Sequence, residues 1–102
     1  MLETAHPYPE GDTMERTVFF GEHASSVTLH FDTKSVTSRF YDKLVISWED
    51  EAGAEQEATL HGEGFKQPLT IASDYFRLGW SVIGKGQARS KHWGWRLTAS
   101  AE

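Results

Sequence analysis

The chain has 102 residues, 25% of them charged and 13% aromatic, with no cysteine and a net charge of −5. That length suits one domain with its own hydrophobic core and is short for two. The lack of cysteine excludes disulfides and thiolate metal sites, and the acidic balance argues against a general nucleic-acid binder, which needs a basic surface to neutralise phosphates.

The first segment, 1–13, is polar and contains Pro7, Pro9 and Gly11. Each proline fixes its own φ and restricts the residue before it, so His6-Pro7-Tyr8-Pro9 is expected to be an extended lead-in to a single domain over 14–102. The opening residues lack the basic-then-apolar pattern of a secretory signal. No uncharged apolar run approaches the roughly 18 residues that span a bilayer. With the missing cysteines, this predicts a soluble, intracellular, cytoplasmic chain without membrane contact.

Beyond residue 13 the dominant period is two. Val18 and Phe20 alternate with Thr17 and Phe19, and Val27, Leu29 and Phe31 alternate with Thr28 and His30. Leu44, Ile46 and Trp48 follow the same rule, with Val45 as an apolar exception. Weaker candidates occupy 55–61 and 69–72. Phe76, Leu78, Trp80 and Val82 form a clear alternating set, and Trp93, Trp95 and Leu97 form the last. Turn-like segments at 21–26, 32–38, 50–54, 62–68, 73–74 and 84–90 separate these runs, and a turn over 33–39 is the one helix-like candidate. About seven short strands with regular breaks and one polar face each predict an all-β fold, a two-sheet antiparallel β-sandwich.

Several strings occur in a recognisable order: His6-Pro7-Tyr8-Pro9, Phe31-Asp32, Tyr41-Asp42-Lys43-Leu44-Val45-Ile46, Pro68-Leu69-Thr70-Ile71 and Trp93-Gly94-Trp95-Arg96-Leu97-Thr98. Over roughly 5–99 this series resembles the CUB domain family, and most closely its cysteine-free, CUB-like modules in giant intracellular proteins, including ubiquitin-ligase-type proteins. The resemblance implies a CUB-like jelly roll and a docking role. Gly94, between two tryptophans, suits a bulge or a close approach by a neighbouring chain. Alternation places Trp93 and Trp95 on one face.

Many extracellular members of that family bind calcium through a Glu after an early strand, the Asp of Tyr-Asp and an Asp-x-Ser loop. Asp42 matches the second element. The loop before the last strand contains no carboxylate and carries Lys85, Arg89 and Lys91, so no calcium site is expected. His6, His23, His30, His61 and His92 lack zinc-motif spacing, although strands could bring His30 and His61 together. No Gly-x-Ser-x-Gly elbow is present. The carboxylates at 49–51, 55 and 57 suggest a solvated hairpin end, not a tuned acid/base pair. The expectation is therefore no catalysis, no cofactor and no metal.

The charge is unevenly spread. Residues 1–64 hold 13 acidic and 4 basic residues, whereas 65–102 hold 2 acidic and 6 basic. The binding candidate is the basic, glycine-containing loop before the last strand, with Lys85, Arg89, Lys91, His92 and Trp93. It offers donors to an acidic or phosphorylated protein partner. A second candidate is an exposed sheet edge that pairs with a partner's strand. The sequence thus points to a non-catalytic protein-interaction or scaffolding module. The alternative is a carbohydrate-binding β-sandwich in which exposed Trp stacks on sugar rings. Contact with nucleic acid through the loop and Trp93 ranks last.

Overall fold

The alternating runs become eight strands: β1 Leu2–Glu3, β2 Thr13–Phe19, β3 Val27–Phe31, β4 Asp42–Glu49, β5 Glu55–Leu60, β6 Leu69–Ile71, β7 Tyr75–Val82 and β8 Arg96–Ala101. The structure, a computed structural model, describes residues 1–6, 8, 11–21, 24–37, 42–82 and 93–101. The strands form two four-stranded sheets, ordered β1-β8-β3-β6 and β2-β7-β4-β5, and every pairing is antiparallel. The fold is an all-β, two-sheet sandwich, as the two-residue period requires when each sheet buries one face.

Register fixes which side chains meet. In the β2-β7-β4-β5 sheet, Met14, Trp80, Leu44 and Leu60 form one inward row. In the other sheet, Leu97 lies between Leu2 and Phe31, and Leu29 lies between Ala99 and Leu69. The predicted inward residues Val27, Leu29, Leu44, Ile46, Phe76, Leu78, Trp80 and Val82 are all buried. Trp80 meets Trp95 edge-on at 6.0 Å, and Tyr8 stands edge-on to Trp80 at 5.1 Å. Such edge-to-face pairs bury large areas with favourable ring geometry. The Trp80 indole N–H donates to Asp12 Oδ2 at 3.0 Å.

The turn read over 33–39 is present at Thr33 and Lys34, among the described residues. The structure departs from the sequence reading in two places. The segment 1–13 does more than lead in: Leu2–Glu3 pairs with β8, and Tyr8 is part of the core. Trp93 and Trp95 do not share a face. Gly94 between them has φ 104°, which breaks the pleat, so Trp95 enters the core while Trp93 packs among polar groups. The close approach expected at Gly94 comes from Thr4, whose Oγ1 would collide with a Cβ at position 94.

Turn chemistry fixes the hairpin between β4 and β5. Asp50 Oδ1 accepts the N–H groups of Ala52 and Ala54, and Oδ2 accepts Gln56 Nε2. The bond from Ala54 is the largest influence holding this carboxyl below its usual range, against a smaller opposing effect of burial.

Candidate functional site

Of the residues chosen from sequence, Lys85, Arg89, Lys91 and His92 lie outside the described residues, and Trp93 lies within them. Trp93 is half-buried, and its indole stacks on the His6 ring with centroids 3.7 Å apart and planes 6° apart. Arg96 Cζ lies 5.3 Å and Lys34 Nζ 5.9 Å from the centre of the same ring, within cation–π range. Around the indole runs a chain of polar contacts: His6 Nε2 lies 2.7 Å from Glu3 Oε1, that oxygen accepts Arg96 Nε at 3.2 Å, and Arg96 also donates to Asp32 Oδ2 at 3.4 Å.

His6 Nδ1 faces the Trp93 carbonyl oxygen at 2.8 Å. Both ring nitrogens thus face acceptors. Bonds from His6 first, then from Arg96, hold the Glu3 carboxyl below its usual range, although partial burial pushes it the other way. Much of the Trp93 environment is thus taken up by contacts that tie the N-terminal segment to β8.

Asp42, the residue matched to Tyr-Asp, is fully buried at the start of β4 and accepts the Tyr8 hydroxyl on Oδ2. Thr37 Oγ1 donates to the Asp42 backbone oxygen at 3.3 Å and accepts Gly62 N–H at 3.0 Å. Asp42 therefore sits in a network that fastens loops to the core. His30 lies on β3 of one sheet and His61 follows β5 of the other, so the topology separates that pair. Among the described residues no group of three His, Asp or Glu could hold a metal ion. The hairpin carboxylates Glu49, Glu51, Glu55 and Glu57 are all exposed. Trp80 and Trp95 are buried and Trp48 and Trp93 half-buried, so no tryptophan stands fully exposed.

The exposed sheet edge is better defined. β1 pairs with β8 only at Leu97 and Arg96. Asp32 N–H donates to Arg96 O on the β3 side, and Thr4 N–H donates to Trp95 O on the β1 side. Antiparallel alternation then turns the backbone groups of Leu97, Ala99 and Ala101 towards β1. Leu2 covers those of Leu97, and no strand among the described residues covers Ala99 or Ala101. Beside this open edge lies an apolar groove of about 320 Å³, lined by Met1 and Leu2 of the N-terminal segment and by Val18, Phe20, Phe76, Leu97 and Ala99. Sequence reasoning ended the last strand near Thr98 and missed this edge. The signal was the small-residue run Ala99-Ser100-Ala101, which continues the alternation without bulk.

Comparison of the chain with protein families, characterised proteins and solved structures finds no match.

Proposed function

We propose that the chain is a non-catalytic protein-interaction module, working within a larger assembly or a longer multidomain protein, that takes an extended segment of a partner along the open β8 edge. One observation carries this reading: the outward backbone groups of Ala99 and Ala101 stand uncovered, among the described residues, beside an apolar groove. A strand laid there would make ladder bonds to both residues, and its side chain opposite Ala99 would enter the groove that this small residue leaves open. The ordered resemblance to CUB-like modules supports the same docking role. The cysteine-free composition supports an intracellular setting. The basic residues Lys85, Arg89 and Lys91 offer donors to partners with acidic or phosphorylated groups.

The test is selection from a library of random extended peptides, followed by affinity measurement on a variant. Ala99→Pro removes an N–H that points to the open edge and leaves the bonds of Thr98 and Ser100 to β3 intact. The expected outcome is a selected consensus with an apolar residue at one fixed position, and a loss of affinity of roughly tenfold or more in the variant. A library that yields no such binder, or a variant that binds as well as the parent, overturns the proposal.

A further inference from the structure

Gly79 lies near the middle of β7, a central strand of eight residues flanked by β2 and β4. A strand interior disfavours glycine, which has no side chain to pack and costs more backbone entropy than any other residue. Two structural reasons can keep it there, and neither applies. Its φ is not positive, unlike that of Gly94, and a Cβ built at position 79 meets nothing within 4 Å. What Gly79 provides is the empty space above it.

That space has a definite shape. On the outer face of the sheet, Gly79 lies between Glu15 of β2 and Val45 of β4. Two depressions, of about 400 and 710 Å³, share Gly79, Glu15, Arg16 and Val45 and so form one continuous trough. These volumes are in the range of small-ligand sites. Hydroxyl side chains flank the floor on both sides along the strands: Thr17 and Ser47 at one end, Thr13 and Ser81 at the other. Beyond the Thr17 end, the cross-strand pair Phe19 and Tyr75 continues the outer face, and Phe19 is 64% exposed.

We infer that this trough is a binding site for a neutral oligosaccharide, laid across Gly79 with one ring against Phe19. Each hydroxyl both donates and accepts, as a polyhydroxyl ligand requires. Arg77 is already paired with Glu55 and donates to Ser47 Oγ at 3.4 Å. Glu15 on β2 and Lys43 on β4, beside Ser81, place one charge of each sign on this face, and Arg16 reaches the rim from the edge strand. A charged ligand therefore meets both signs here, whereas a neutral one keeps its hydrogen bonds along the floor. Val45 and the ring of Phe19 supply apolar surface for the C–H faces of a sugar. The site lies on the sheet opposite the β8 edge and is independent of peptide capture there.

The experiment uses an array of neutral α- and β-linked glucan, xylan, mannan and chitin oligomers, with sulfated oligomers as the charged control. Calorimetry with the strongest neutral binder then compares the parent with Gly79→Val and Phe19→Ala. The expected result is binding of a neutral oligomer, loss of affinity by roughly tenfold or more in both variants, and a Tm for Gly79→Val equal to or above that of the parent. Retention of binding in both variants overturns the inference, and so does a signal confined to sulfated oligomers or no signal at all. Sedimentation of the same variants provides a further check: a change in self-association with Gly79→Val assigns the trough to contact between copies of the chain and likewise overturns the inference.

Discussion

At the level of single residues, the joint between Thr4 and Gly94 concentrates several constraints. Gly94 has φ 104°, a region that side-chain-bearing residues rarely enter, and a Cβ there meets Thr4 Oγ1. Thr4 N–H also donates to Trp95 O at 3.0 Å, and Trp95 N–H donates to Thr4 Oγ1 at 3.1 Å. Replacing Gly94 with Ala adds backbone strain and a steric conflict at a buried site. Gly94→Ala is expected to lower unfolding free energy by about 2–4 kcal/mol, read from urea midpoints. A loss within measurement error would show that the joint relaxes freely. Trp95 carries a related cost, since its buried Nε1 finds no acceptor among the described residues.

The strands are where the sequence was most legible, and their edges where it was least. Alternation over Val27–Phe31, Asp42–Glu49 and Tyr75–Val82 located the three longest buried stripes because each of those strands hides one face. Edge strands blur this signal. β2 pairs only with β7, and its residue in the Leu78–Ile46 row is Arg16, a charge on the inward-facing register of an edge strand. Such a charge discourages a second copy from adding to the sheet. Arg16→Val restores an apolar alternation with Met14 and Val18 and is expected to raise self-association, measured by light scattering across a concentration series. A variant that self-associates no more than the parent would remove Arg16 from this role. β8 has no comparable guard, since Ala99-Ser100-Ala101 leaves its edge small and uncharged.

Across the whole molecule, the N-terminal segment and the last strand belong to one sheet, and the cluster of Glu3, His6, Trp93, Arg96 and Asp32 fastens them. The Glu3 carboxyl lies below its ordinary value of 4.5 in the folded chain, chiefly through its bond from His6. A group with a lowered folded pKa binds protons more readily when unfolded, so its contribution to stability is present above the ordinary value and is lost as pH falls through the lowered one. Asp50 acts with the same sign. Unfolding midpoints are therefore expected to fall on acidification below about pH 4.5, and Glu3→Gln should make that fall shallower. Parallel acid profiles for parent and variant would separate Glu3 from the effect.

The sequence by itself determined the class of fold, because a period of two leaves each strand one oily face and sheets must pair to bury it. It also determined most of the core, the absence of disulfides and the turn at Asp50, whose chemistry is local. Only the tertiary structure decided that Tyr8 and Phe65, both outside the strands, fill the core, and that Gly94 sends Trp93 and Trp95 to different environments. The same holds for the edge at Ala99 and Ala101 and the space over Gly79, which depend on strand order and on which of the described strands lie beside them. Alternation reports which way a side chain points along its own strand, and carries no record of which strand, if any, lies beside it.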